Sequence, residues 1–189
     1  GVVFIIALYG TRDLWERLNW PLAWRLAPAA VIIGLLGMWQ PGVMGLGYDT
    51  ISDTLQGDLP GVGLLLLLAG GKLIATSLTL GSGGSGGIFA PSLFIGAMIG
   101  GAMGDIVDSL TASHLTSGGA YALVGMGGVF AAVSHAPITA VLTIFELTGD
   151  YLMILPLMLT CGISTVVARH IKRTSIYNLK LLRRGVHLE

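Results

Sequence analysis

Apolar residues in this chain are gathered into blocks, at roughly 1 to 10, 26 to 39, 62 to 80, 88 to 107, 119 to 133, 136 to 147 and 151 to 168. Polar or glycine-rich breaks separate them. Blocks of this length predict helices, yet several fall short of the 20 or so residues that cross a bilayer upright. Short apolar helices interrupted by glycine and proline are the pattern of discontinuous, tilted helices in channels and transporters. The fold class predicted is an all-α polytopic membrane protein.

The breaks carry most of the chemistry. Residues 81 to 91 read GSGGSGGIFAP, between two long apolar runs. Backbone amides exposed at membrane depth are costly unless protein or an ion satisfies them. Pro91 suits the first turn of a helix, where a missing N–H does little harm, so a helix should begin close to Ile88. Its unpaired N–H groups and positive dipole end would point into the protein and attract an anion. Ser134-His135-Ala136-Pro137 should form the tip of a hairpin between two short helices. At Thr148-Gly149-Asp150, glycine stops one helix and aspartate caps the next. Gly47 to Ile51 opens a modest amphipathic segment with Asp49 as its expected cap, and 105 to 118, with Asp105, Asp108 and His114, reads as an external loop. GAMIGGAMG, Gly96 to Gly104, allows close helix contact.

Composition places these helices in lipid. The chain is 53% hydrophobic and 11% charged, with a mean hydropathy of +0.82. From Leu73 to Ala168 it has no Lys or Arg, whereas Arg169, Lys172, Arg173, Lys180, Arg183 and Arg184 follow together. The positive-inside rule therefore predicts a cytoplasmic C-terminus and loops before it that face away from the cytoplasm. Zero net charge says nothing about which ion is handled. The lone Cys161 reads as a packing residue. No cleavable signal peptide is recognisable, and the chain opens within an apolar run without an initiator Met, as expected of a segment from a longer protein.

Competing motifs can be weighed on context. Gly81, Gly83 and Gly86 satisfy G-x-G-x-x-G, with Asp105 at about the spacing of a ribose-binding acid. A dinucleotide fold would need a short strand before the glycines, and a run of membrane length stands there instead. No Gly-Lys-Ser/Thr is present for a phosphate loop. Gly83-Gly84-Ser85-Gly86 also fits G-x-S-G, and His135 lies two apolar segments later, so an intramembrane serine protease using Ser85 and His135 is the alternative from another class. That reading requires a hydrogen bond between the two side chains. Lys72 and Glu146 are ionisable residues within apolar runs. Each could belong to an ion path, or Lys72 could snorkel and Glu146 could bond to backbone or a polar neighbour. Tyr177, by residue type alone, suits an interfacial anchor.

GSGGSGGIFAP followed by SLFIGAMIGGAMG resembles the second-half signature of the CLC chloride channels and proton/chloride antiporters, with Gly87 to Pro91 matching its G-x-F-x-P core. GLGYDTI (Gly45 to Ile51), GMGGVFAAVSHAPITAVLTIFELTGDY (Gly125 to Tyr151), ILPLMLTCGIST (Ile154 to Thr165) and SIYNLKLLRRG (Ser175 to Gly185) agree in order and spacing. The resemblance implies a multi-pass protein of the plasma (inner) membrane that transports chloride or related anions, not an enzyme, with no cofactor, metal or nucleic acid. It implies that residues 1 to 174 are the C-terminal half of the membrane domain, its second inverted repeat, and that 175 to 189 are a final helix and the start of a cytoplasmic linker. The backbone N–H groups of Ile88 and Phe89 and the hydroxyl of Tyr177 would then hold a central chloride. The implied partners are the N-terminal half of the same protein and a second copy, through helices 136 to 148 and 151 to 168, whose small and apolar surfaces suit lipid equally well. The family's first-half motifs, a Gly-Ser-Gly-Ile-Pro loop and a Gly-Arg-Glu-Gly-Pro loop, have no counterpart in this chain.

Overall fold

The computed structural model describes residues 1–18, 20–58, 61–111, 118–172 and 176–177. Among these are eight α-helices and no strand. They are α1 (Val2–Arg17), α2 (Leu22–Trp39), α3 (Tyr48–Gln56), α4 (Val62–Gly81), α5 (Phe89–Thr111), α6 (Gly118–Ser134), α7 (Pro137–Thr148) and α8 (Ile154–Ile171), with 3₁₀ turns at Pro41–Val43 and Tyr151–Met153. By length and composition α2, α4, α5 and the segment Tyr151–Ile171 can each cross a membrane. The apolar α7, with 12 residues, is only about 18 Å long and cannot span a 30 Å core upright.

The core is built on α5 and α6. Gly96, Gly100 and Gly104 lie four residues apart on α5, which places them on one face of the helix. That face meets α6 backbone to backbone. A Cβ at Gly96 would stand 2.5 Å from the carbonyl oxygen of Gly125 and 2.7 Å from the Cα of Met126. Beyond α6, Gly127 lies against Leu157 and Cys161, and Gly128 against Thr160, which seats α8. On the other side α4 packs on α5, with α1 and α2 against α4, while α3 contacts both α5 and α6. The buried set includes Phe4, Leu93, Phe94, Met98, Ile144 and Leu157. Cys161 is buried within it, as its packing assignment requires.

Several local expectations are met and several are corrected. Gly149 ends α7 in the left-handed region at φ 67°, and Asp150 accepts from the Leu152 N–H at 2.9 Å. The 134–137 break does separate α6 from α7, with His135 at φ 58°. Asp49, however, is not the cap of α3. Gly47, in the left-handed region, stands at that position without a side-chain bond, and Asp49 lies in the first turn. The loop expected from 105 does not start there, because α5 runs on to Thr111. Asp105 is helical and accepts from the Gly61 N–H at 3.2 Å, tying α5 to the start of α4. His114 lies outside the described residues.

Lys72 does not snorkel. Its side chain is 3% exposed and donates to the carbonyl oxygens of Val43 and Gly45, both at 2.8 Å, with the Phe94 ring centroid 4.8 Å from the ammonium. The two carbonyls and the ring face replace part of the hydration that water would supply at the surface. Glu146 is exposed, and its side chain makes no hydrogen bond to a described residue.

Candidate functional site

The glycine-rich break is an ordered turn between α4 and α5. The Gly83 N–H donates to Leu80 O at 3.3 Å and the Gly84 N–H to Thr79 O at 2.9 Å, while Gly83 takes φ 98°. This is the Schellman arrangement, which satisfies the last carbonyls of α4 and needs a residue free to adopt positive φ. Gly84 is needed for space: a Cβ there would stand 2.7 Å from the Thr79 oxygen.

The chain then turns into α5. The Ile88 carbonyl accepts from the Ser92 N–H at 3.2 Å, so Ile88 holds the cap position and Phe89, Ala90 and Pro91 form the first turn. Among the described residues, nothing accepts from the N–H groups of Ile88, Phe89 or Ala90. Pro91 has no N–H to leave unpaired, and the Ser92 hydroxyl donates to Phe89 O at 2.6 Å. The Phe89 ring meets Phe130 of α6 edge-on, with centroids 5.0 Å apart. A helix end with free N–H groups is thus fixed against the core.

Ile88, Phe89 and Tyr177 line one partly open cavity of about 610 Å³. Tyr177 is 43% exposed, and its hydroxyl makes no hydrogen bond to a described residue. A phenol, with an ordinary pKa of about 10, is a protonated donor at neutral pH. Sequence reasoning overlooked another part of the lining, where α1 contributes Tyr9, Arg12 and Glu16 at helical spacing and Arg25 of α2 joins them. Arg12 Nε donates to Glu16 at 2.7 Å, and Arg25 Nε donates to Trp20 O at 2.6 Å. The i, i+3, i+7 placement of Tyr9, Arg12 and Glu16 was the available signal. A cavity lined by neutral donors, by Arg25 and by the paired Arg12 and Glu16 offers a small anion hydrogen-bond donors with little net charge.

Ser85 and His135 are not brought together. Ser85 is exposed in the turn, no hydrogen bond joins the two residues, and the His135 Nε2 is buried without a partner. The His135 carbonyl instead accepts from Arg169 of α8 at 2.9 Å. A nucleophile and base pair is therefore not formed.

These features define an all-helical integral membrane protein with a broken helix pair whose free amino end opens onto a cavity. The chain belongs to the voltage gated chloride channel family, whose profile matches residues 1–169. It is 33% identical over 187 residues to the H(+)/Cl(-) exchange transporter ClcA of Klebsiella pneumoniae strain 342, covering 97% of this chain and 39% of that protein. It is 39% identical over 152 residues to ClcA of Vibrio parahaemolyticus serotype O3:K6, covering 80% of this chain and 32% of the relative. The crystal structure of a slow cyanobacterial Cl-/H+ antiporter superposes with a TM-score of 0.86 at 33% identity, over 97% of this chain and 43% of that one. The chain thus spans about a third to two fifths of the length of the curated relatives it matches.

Proposed function

We propose that the chain is the C-terminal half of the membrane domain of a chloride transport protein, and that the N–H groups of Ile88 and Phe89 and the hydroxyl of Tyr177 coordinate the ion. The observation that carries this is their common cavity, entered by the amino end of α5 with its N–H groups unpaired. Neutral donors and a helix dipole can replace part of a monovalent anion's hydration without the trapping that a buried cation would cause. The relatives' names, H(+)/Cl(-) exchange transporters, support proton-coupled exchange as the mode. Three donors make an incomplete coordination shell, so the remaining ligands and the proton-carrying carboxylates would come from the N-terminal half.

By the same reading the protein sits in the plasma (inner) membrane with its C-terminus in the cytoplasm, and residues 175 to 189 lead into a cytoplasmic linker. A second copy would pack on α7 and α8, whose exposed Ile138, Leu142, Leu155, Leu159 and Ile163 offer an apolar surface. The anion site is tested by calorimetric chloride titration of the full-length protein. Tyr177→Phe removes one donor to a charged ligand, nominally about 1.5 to 3 kcal/mol, and partial replacement by water limits the loss to roughly tenfold in affinity. Phe89→Pro deletes the proposed amide at a helix position that tolerates proline. Unchanged affinity in both variants, each purified as a folded protein, would remove these residues from the site.

A further inference from the structure

We propose that Tyr9 is a positioning residue for Tyr177, a hydrogen-bonded pin from α1 that sets the direction in which the Tyr177 side chain enters the cavity. The proposal rests on the reading of Tyr177 as an anion ligand. The Tyr9 hydroxyl donates to the carbonyl oxygen of Ile176 at 2.8 Å, joining residues 167 apart in the chain. Tyr9 is 6% exposed and Ile176 is 1% exposed, so the bond lies out of water, where its electrostatic strength is greatest.

The geometry of the peptide unit gives this bond its consequence. The Ile176 carbonyl belongs to the same planar group as the Tyr177 N–H and Cα. Burial of the Ile176 side chain fixes where the segment sits. It does not fix the rotation of the next peptide plane. Holding the carbonyl oxygen does, and so fixes the Tyr177 N–Cα axis from which the side chain departs. Tyr9 also lines the cavity that Tyr177 lines, so the pin acts at the site and not at a distance. Without the pin, Tyr177 keeps its hydroxyl but loses its aim, and the ion loses a pre-positioned donor.

A double-mutant cycle on the full-length protein, read as chloride affinity by calorimetry, tests the proposal. Tyr9→Phe keeps the ring and removes the donor. It should weaken chloride binding by about three- to tenfold, the range of one net hydrogen bond, and should add nothing in a Tyr177→Phe background. A packing role alone would lower stability and leave the affinity unmoved, or weaken it equally in both backgrounds; either result overturns the proposal. If Tyr177→Phe itself leaves affinity unchanged, the ligand assignment has failed, and the positional claim is decided separately. For that, Tyr177→Cys is labelled with a soluble maleimide, alone and combined with Tyr9→Phe, with buried Cys161 expected to stay silent. Labelling several-fold faster without the Tyr9 hydroxyl supports the pin. An equal rate refutes it.

Discussion

Substituting Gly125 by alanine should drive α5 and α6 apart. The added Cβ would stand 2.8 Å from the Cα of Gly100 and 3.0 Å from its N, and closer still to the carbonyl oxygen of Gly96. All three are backbone atoms, so no side chain can rotate away. Carbon atoms pack best at about 3.5 to 4.0 Å, so the helices must part by roughly 1 Å along the contact. Overpacking of this kind costs about 1 to 3 kcal/mol. The control is Gly34→Ala on α2, where an added Cβ meets nothing within 4 Å. There the higher helix propensity of alanine should stabilise by up to about 1 kcal/mol. Thermal unfolding of the detergent-solubilised full-length protein, at fixed saturating chloride, separates the two. The reasoning is refuted if Gly125→Ala melts at or above the wild-type temperature, or if Gly34→Ala loses as much as Gly125→Ala.

Lys72→Met should strand the carbonyls of Val43 and Gly45, costing about 1 to 3 kcal/mol and speeding proteolysis between Pro41 and Gly47. Wild-type melting and cleavage rates would show that these bonds hold nothing. For topology, a cysteine at exposed Ser109 should react in intact cells with an impermeant thiol reagent added outside, and one at exposed His170 should not. The reverse labelling pattern would invert the proposed orientation.

Helices were legible wherever a physical signal is local. The apolar blocks mark α4 to α8, Gly149 and Asp150 mark the junction before α8, and Pro91 with the glycines before it marks the start of α5. The extent of α1 was less visible, because Arg12 and Glu16 interrupt the apolar pattern while pairing with each other on a continuing helix. Asp49 misled for a related reason. It can cap a helix, but Gly47, with its backbone in the left-handed region, is the residue that ends the preceding turn. Lys72 was ambiguous because its partners, Val43 and Gly45, lie 29 and 27 residues away. The α1 wall of the cavity was hidden in the same way, since the link from Tyr9 to Ile176 exists only once the two ends of the chain meet. Ala90 carries an unpaired N–H that could be inferred only after the cap position had been fixed at Ile88.

The glycine contacts running from α5 through α6 to α8 have a mechanical consequence. α5 and α6, seated backbone against backbone, have little compressible side-chain material between them, and α8 packs Leu157, Thr160 and Cys161 onto the α6 glycines, so the three behave as one stiff plate. The amino end of α5 is mounted on that plate and cannot shift far without carrying α6 and α8 along. Any rearrangement of the cavity would therefore leave that end in place and fall on the parts of the lining that α1 and α2 contribute.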